Sequence, residues 1–260
     1  MYMKHKVLRV VISTNRLEYL SQTTKACERI DYSNLDVHHL IIDDFPKDRN
    51  DEEFTEFALS NGFDEVILNK ENLGITLQWD KIMNIAITGN YDYVFMHEDD
   101  VLIRQDLLLN DLVNILRENT RLSQIQLKRN NWYSTEITPV SKKPSDVVLG
   151  NFLGELGNGY FAGLMSIWPG HVSKKIMLMK EDTDFPLGEN TIGWYLENTH
   201  GLFPATLKTF DGKPMIDHIG EYTRGLKYDK DLPGVSANSL SITQPEVKLN
   251  SRDSSKLWED

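Results

Sequence analysis

The chain has 260 residues and a formal net charge of −11, with 40% hydrophobic and 26% charged residues. This length and composition predict a globular protein of one large domain or two small ones, with a substantial core. The acidic balance disfavours a general nucleic-acid surface, because attraction to phosphate over long range needs basic patches, although a small phosphorylated ligand stays compatible with it. No stretch has the apolar length of a transmembrane segment, and the N-terminus does not resemble a signal peptide. The single cysteine, Cys27, permits no intrachain disulfide, so we expect a cytoplasmic protein.

Short apolar runs alternate with amphipathic stretches through the first half of the sequence. The pattern predicts strands over 8–13, 37–42, 66–68 and 93–96, and helices over 17–29, 52–59, 74–88 and 108–116. Strands that alternate with helices form βαβ units with a mainly parallel sheet. The predicted fold class is therefore α/β, a Rossmann-like, mainly parallel sheet flanked by helices.

The second half of the sequence has a different character. Residues 128–159 are rich in Asn, Ser, Lys, Pro and Gly with weak periodicity, which predicts a long functional loop or lid. A strand over 160–168, a helix over 169–179 and a short helix over 189–198 follow. The polar residues after Gly225 predict a surface tail or a partly disordered one.

Polar clusters follow three of the predicted strands directly. They are Thr14-Asn15-Arg16, Asp43-Asp44 and Glu98-Asp99-Asp100. Because ligands of parallel sheets bind beyond the carboxyl ends of the strands, we expect these clusters to lie close together. Three adjacent carboxylates repel one another unless a positive group lies among them, and a divalent cation is the simplest one. Oxygen ligands favour Mg²⁺ or Mn²⁺, whereas the alternative interpretation is a solvated acidic turn.

These motifs, in this order, resemble those of a nucleotide-sugar-dependent glycosyltransferase of the GT-A fold, of the family two type. The resemblance covers roughly residues 7–225. The segment Ser13-Thr14-Asn15-Arg16 resembles the family's Thr-x-Asn-Arg turn. The other motifs are Asp43-Asp44, Asn72-Leu73-Gly74, the acidic triplet, Gly159–Gly163, Glu189-Asn190 with Trp194, and His218-Ile219-Gly220 with Arg224. The chain departs from the family pattern twice, since the triplet begins with a glutamate and the usual Glu-Asp pair is Glu-Asn.

The resemblance implies a metal-dependent, inverting transfer of a sugar from a nucleoside-diphosphate sugar to an acceptor hydroxyl. Asp100 is then the first metal ligand for Mn²⁺ or Mg²⁺, assisted by Glu98 or Asp99. His218 would complete the ligand set, since Mn²⁺ accepts imidazole, and its alternative is an ordinary polar histidine near a turn.

Two carboxylates are candidates for the catalytic base. The resemblance places Glu189 at the acceptor, although a glutamate is also favoured at a helix start by the dipole alone. Glu155 is the reserve base, and its alternative is a solvated carboxylate in the long loop.

The remaining site residues divide between donor and acceptor. The resemblance implies a nucleotide-sugar site formed by Thr14, Asn15, Arg16, Asp43, Asp44, Gly74, Asp99 and Arg224, in which the paired aspartates meet the base or ribose and Arg224 meets the diphosphate. The acceptor would contact Trp132, Tyr133, Gly163 and Trp194, because sugar faces stack on aromatic rings. The two loop aromatics are equally compatible with an amphipathic surface loop, and Asp44 with an Asx turn.

We expect one catalytic domain over residues 1–225, followed by a tail over 226–260. Within the domain, residues 1–103 form the nucleotide-sugar half and residues 104–225 the acceptor half. Two other functions stay open: a nucleotidyltransferase, although Ser13 to Arg16 contains no glycine, and a non-catalytic module that binds sugar nucleotides or glycans. A narrower variant is transfer onto modified bases of phage DNA, which the basic aromatic loop permits and the net charge disfavours.

Overall fold

The structure, a computed structural model, describes residues 4–129, 145–156, 161–183 and 187–219. The first half contains β1 (His5–Ser13), α1 (Leu17–Cys27), β2 (Ile30–Asp31), β3 (Leu35–Asp43), α2 (Asp51–Ser60), β4 (Glu65–Leu68), α3 (Gly74–Thr88), β5 (Tyr93–Glu98) and β6 (Val101–Ile103). The second half contains β7 (Leu107–Leu108), α4 (Leu109–Glu118), β8 (Leu122–Leu127), β9 (Ser145–Leu149), β10 (Phe152–Leu156), β11 (Met165–Pro169), α5 (Gly170–Asp182), α6 (Glu189–His200), β12 (Phe203–Lys208) and β13 (Ile216–His218). None of the helices in these ranges has the length and apolar character that crossing a bilayer requires.

A nine-stranded sheet forms the centre of the described part of the chain, in the order β4-β3-β1-β5-β11-β8-β12-β10-β9. The first four strands of this order are parallel, as predicted, and helices flank the sheet, so the α/β class is confirmed. The apolar runs of β1, β3 and β5 are buried because helices cover both faces of the sheet, whereas the edge strand β4 is only partly buried. The register pairs Ser13 with Asp43 and Ile12 with Glu98, so the carboxyl ends of β1, β3 and β5 are level. The predicted meeting of the polar clusters is therefore confirmed.

The other half of the sheet is mixed. Strand β11 is antiparallel to β5 and β8, β12 is parallel to β8, and β10 and β9 are antiparallel additions at the edge. The prediction of an irregular stretch over 128–159 is wrong for its last part, where β9 and β10 form a hairpin. The hairpin turns at Gly150-Asn151, and Gly150 has a φ of +58°. A two-residue turn that begins with glycine is a hairpin signal, but the apolar pattern around it is weak.

The strand predicted over 160–168 is also wrong at its start, because β11 begins only at Met165. Phe161 to Leu164 form a turn that leads into the strand. Aromatic packing seats this turn on one face of the sheet, where the Phe161 ring centroid lies 5.6 Å from that of Trp79 and 5.3 Å from that of Trp168. The turn is therefore part of the core that α3, α5 and α6 share with the sheet.

A small two-stranded sheet completes the region beyond β5. Strand β13 is antiparallel to β6, and His218 pairs with Val101. The N–H of Ile219 also donates to the carbonyl of Asp100 at 2.8 Å. These backbone bonds place His218 beside the acidic triplet. Cys27 is buried in the core on the other face of the main sheet, as core residues of its type often are.

Candidate active site

The middle carboxylate of the triplet, Asp99, is bonded to the turn that follows β1. The Ser13 hydroxyl and the Thr14 N–H donate to Asp99 Oδ2 at 3.0 and 3.1 Å. The Arg16 guanidinium forms a short ion pair with Oδ1 of the same carboxylate. Asp99 is only 1% exposed. Because protein groups occupy both of its oxygens, Asp99 joins the β1 turn to the β5 turn and is the least suited of the three acids to hold a metal.

The other two carboxylates converge with His218 at the end of β5. The Nε2 atom of His218 lies 3.0 Å from Asp100 Oδ1 and 3.9 Å from Glu98 Oε2. One potential ligand atom from each of the three residues lies within 4.8 Å of the others. Two carboxylate oxygens and one imidazole nitrogen are a donor set that suits Mn²⁺, and Mg²⁺ through the oxygens. Asp100 also contacts Arg16 at 2.7 Å, which partly balances the local negative charge.

Electrostatics distinguish the two carboxylates of this group. Desolvation by the surrounding protein raises the pKa of Glu98 to about 8, and the negative charges of Asp100, Glu189 and Asp99 add to the rise. Burial alone would raise the pKa of Asp100, but His218 and Arg16 outweigh burial and hold this pKa below its usual value. Glu98 therefore carries most of the repulsion in the cluster, which a bound cation would relieve.

Thr23 on α1 is a site residue that the sequence reasoning missed. Its hydroxyl donates to the Asp99 carbonyl at 2.8 Å and accepts from the Val101 N–H at 3.1 Å. It is fully buried on the helix face that also carries Leu20 and Cys27. A threonine at an apolar position of an amphipathic helix is the signal that could have identified it. Its role is to fix the backbone of the acidic turn.

Asp43, at the end of β3, is bonded entirely within the protein. Its Oδ2 accepts from the Asn15 N–H at 2.5 Å, and its Oδ1 accepts from the Phe45 N–H at 3.1 Å and from Arg49 at 2.7 Å. The side chain is fully buried. Asp43 thus shapes the loops after β1 and β3, and its contact with a nucleoside stays a prediction.

Asp44 caps the start of α3. It accepts the Leu73 N–H at 2.9 Å and the Gly74 N–H at 2.8 Å, and its Oδ1 also accepts from Asn69 at 2.8 Å. Gly74 has a φ of +69°, a conformation that favours glycine. The Asx turn with Pro46, left open by the sequence, is replaced by this longer-range cap. Direct binding of the nucleoside by Asp44 or Gly74 also stays a prediction.

Glu189 begins α6 and points to the turn before β11. Its Oε1 accepts from the Gly163 N–H at 2.7 Å, and its backbone carbonyl accepts from the Phe161 N–H at 3.0 Å. Part of Glu189 is exposed to solvent, whereas protein atoms surround its carboxyl group. Desolvation raises its pKa, against the opposing effects of the Gly163 N–H and the charge of Arg129. A carboxylate with a raised pKa and one oxygen fixed is suited to accept a proton near neutral pH.

The structure separates Glu155 from this site. Its backbone lies in β10 rather than in a loop, and it pairs with Thr206 of β12. Four strand spacings lie between β10 and β5, which amounts to about 19 Å. The reserve base is therefore corrected, because Glu155 is too distant from the triplet to serve the same reaction.

One of the remaining predicted residues, Trp194, is described by the structure, and the others lie outside the described residues. Trp194 is on α6, five residues after Glu189, and packs partly buried against the core. Trp132, Tyr133 and Arg224 lie outside the described residues, as does the predicted tail. Their roles stay predictions.

Solved glycosyltransferase structures share this fold. Residues 1–349 of TarS from S. aureus match with a TM-score of 0.52 and 13% identity over 84% of this chain and 61% of that one. The same TarS fragment in complex with UDP-GlcNAc gives a TM-score of 0.51 at 14% identity, over 85% of this chain and 60% of that one. GalNAc-T7 with UDP, GalNAc and Mn²⁺ gives 0.58 at 12% identity, over 84% of this chain and 44% of that one.

At these identities the likeness establishes the fold and nothing more. The chain spans less than two thirds of the length of each of these proteins. No curated protein sequence matches it. The sequence does match the glycosyl transferase family 2 pattern over residues 10–186, which is more than half of the chain and includes the triplet and the Gly163 turn. The chain therefore belongs to glycosyl transferase family 2.

Proposed function

We propose that this chain transfers a hexosyl or pentosyl group from a nucleoside-diphosphate sugar to an acceptor hydroxyl, with a divalent ion and with inversion at the anomeric carbon. One observation carries the proposal. The Glu98, Asp100 and His218 group has metal-binding spacing, and the Glu189 carboxylate is near enough to raise the pKa of Glu98. A candidate cation site and a candidate base thus lie close together beyond the carboxyl end of β5, and ligands of such sheets bind beyond the carboxyl ends of their strands.

Glu98, Asp100 and His218 would hold Mn²⁺ or Mg²⁺, and their donor atoms fit such an ion. When bound, the ion would neutralise the charge that develops on the leaving diphosphate. Asp99 and Arg16 would support the site by fixing the triplet between the β1 and β5 turns. The GalNAc-T7 structure contains Mn²⁺ with UDP, which is in line with this proposal.

Glu189 would remove the proton from the acceptor hydroxyl. Its Oε1 is held by the Gly163 N–H, so its second oxygen is the atom that would accept the proton. Attack by a hydroxyl that the base activates, opposite the leaving diphosphate, inverts the anomeric configuration. Trp194 and the Gly163 turn would contact the acceptor, together with Trp132 and Tyr133.

The donor would lie along the turns after β1 and β3. Thr14, Asn15 and Arg16 would line the diphosphate and ribose, with Asp43, Asp44 and Gly74 shaping the pocket of the base. Arg224 would pair with the diphosphate. TarS binds UDP-GlcNAc, and we therefore include a uridine donor among the first candidates. The cytoplasmic location expected from the single cysteine belongs to the same proposal.

The decisive experiment incubates the protein with UDP-glucose, UDP-galactose, UDP-GlcNAc and GDP-mannose, with Mn²⁺, with Mg²⁺ or with EDTA. Release of the nucleoside diphosphate measures turnover with water or an added acceptor, and NMR of the anomeric proton reports the configuration of the product. We expect turnover with at least one donor, its loss in EDTA and an inverted product.

The same experiment separates the alternatives. Release of pyrophosphate from a nucleoside triphosphate and a sugar phosphate would indicate a nucleotidyltransferase. Tight donor binding without turnover, with any acceptor, would indicate a binding module. Hydroxymethylated DNA among the acceptors tests transfer onto modified bases. A retained configuration would contradict the assignment of Glu189 as a base that serves direct displacement.

A further inference from the structure

We propose that Gln124, on β8, is a positioning residue for the base Glu189. The proposal rests on the function proposed above for Glu189. Gln124 touches neither the triplet nor Glu189 in any hydrogen bond within the described residues, and acts through the backbone of the Ala162–Gly163 turn.

The contact between Gln124 and Ala162 is bidentate. The Nε2 atom of Gln124 donates to the Ala162 carbonyl at 2.8 Å, and its Oε1 accepts from the Ala162 N–H at 2.8 Å. The side-chain amide therefore meets Ala162 as a neighbouring strand would. Ser166 strengthens the contact, since its hydroxyl donates to the Ala162 carbonyl at 2.7 Å and accepts from Gln124 at 2.9 Å.

Gln124 is fully buried, and an amide in this position is costly unless its groups are bonded. The backbone of residues 161–164 lies outside the strands, so no sheet ladder satisfies the Ala162 N–H and carbonyl. Gln124 supplies both of those bonds. A leucine at this strand position would pack in the core but would leave the Ala162 N–H without its acceptor and the Ala162 carbonyl with the Ser166 hydroxyl alone.

Gly163 connects this turn to the base. Its N–H donates to Glu189 Oε1 at 2.7 Å, one residue beyond the bonds that Gln124 makes. The turn packs closely against the core here, since a Cβ on Gly163 would lie 3.1 Å from both Met96 and Trp79. A shift of Ala162 therefore moves the Gly163 N–H, and with it the oxygen that this N–H holds.

The charged groups that act on Glu189 from other elements are Glu98 on β5 and Arg129 after β8. The Gly163 N–H is the described donor to the Glu189 side chain, and it also opposes the rise in the pKa of that carboxyl. Loosening the turn should therefore both misplace the base and raise its pKa further.

The test compares Gln124→Met with a control on the same strand, Gln126→Met. Gln126 is two residues away on the same face of the sheet and donates to the Thr206 hydroxyl at 2.5 Å, so the control also removes an amide hydrogen bond of β8. Turnover of the donor that the wild-type protein uses fastest is measured from pH 5 to pH 9. Binding of UDP in the presence of Mn²⁺ is measured by calorimetry.

Gln124→Met should lower kcat by about tenfold or more, up to the 10²–10⁴-fold that loss of a general base costs. The affinity for UDP should not change, and the acidic limb of the kcat profile should move to higher pH. Ser166→Ala removes one of two donors to the Ala162 carbonyl and should give a smaller change in the same direction. Gln126→Met should keep the wild-type kcat and pH profile.

A folded Gln124→Met protein with wild-type kcat and pH profile would overturn the inference. An equal loss in Gln126→Met would also overturn it, because strand stability would then explain both. If Gln124→Met does not fold, the milder Ser166→Ala variant decides by the same criteria. The Glu189→Gln variant distinguishes failure of this inference from failure of the proposed function. Full activity in that variant would refute the role of Glu189 as the base, independently of the result for Gln124.

Discussion

We expect that neutralising each of two neighbouring carboxylates, Asp99 and Asp100, affects a different property of the protein. Asp99→Asn should mainly lose stability, and Asp100→Asn should mainly lose metal-dependent nucleotide binding. Asp99 is buried and accepts from Ser13, Thr14 and Arg16. Asp100 lies beside Glu98 and His218, and the potential metal-ligand atoms of the three residues lie within 4.8 Å of one another.

The expected magnitudes follow from these contacts. Breaking a buried ion pair by removing one partner costs about 3–5 kcal/mol. At roughly 2–4 °C per kcal/mol for a chain of this size, Asp99→Asn should lower Tm by about 6 °C or more. In Asp100→Asn, the loss of the contacts with Arg16 and His218 is offset by relief of repulsion from Glu98, so Tm should change less.

Thermal unfolding without metal and calorimetry of UDP with and without Mn²⁺ measure the two effects separately. Asp100→Asn should abolish the gain in UDP affinity that Mn²⁺ gives to the wild-type protein. Asp99→Asn, assayed well below its Tm, should retain most of that gain. The reasoning is refuted if Asp99→Asn loses the Mn²⁺ effect at an unchanged Tm, or if Asp100→Asn keeps it.

Three further predictions concern other parts of the site and the sheet. Glu189→Gln should lower turnover by about 10²–10⁴-fold with unchanged UDP affinity, and near-wild-type turnover would reduce Glu189 to a helix-start carboxylate. Asp44→Ala should lower the free energy of unfolding, measured by urea titration, by about 2–4 kcal/mol. The substitution removes the cap of α3 and leaves the Asn69 side-chain amide without its acceptor. An unchanged free energy of unfolding would contradict the capping role of Asp44. His39 should make folding sensitive to acid, since burial and Arg9 lower its pKa to about 4. Its contribution is complete above the ordinary pKa of 6.5 and is lost as pH falls toward 4, so His39 alone should account for a loss of about 1–2 kcal/mol between pH 7 and pH 5. The drop in stability over this range should be smaller by that amount in His39→Gln.

The parallel part of the sheet could be predicted because β1, β3 and β5 each contain a buried apolar run. The runs around Val10, Ile41 and Phe95 are apolar without interruption, and each ends abruptly in polar residues. In a parallel sheet such ends are level, so the meeting of Arg16, Asp43 and the triplet followed from the pattern alone.

The mixed part of the sheet could not be predicted in the same way, because its strands are short and carry polar residues. Strand β8 reads Leu-Ser-Gln-Ile-Gln-Leu, and β12 contains Pro204. These two strands pair although they are distant in the sequence, and local periodicity does not predict such long-range pairing. His218 was placed near the triplet by resemblance alone, and only the pairing of β13 with β6 supplies its physical reason.

The residues that sequence reasoning missed have one physical property in common. Thr23 and Gln124 are polar side chains at positions where the pattern requires apolar ones, and both are fully buried. Each of them bonds a backbone segment that leaves the regular ladder next to the site, the acidic turn in one case and the Ala162 turn in the other. Such segments carry N–H and carbonyl groups that neither a strand nor water can satisfy. A polar residue in a predicted core position therefore indicates irregular backbone nearby, and in this sheet that backbone lies next to the candidate site residues.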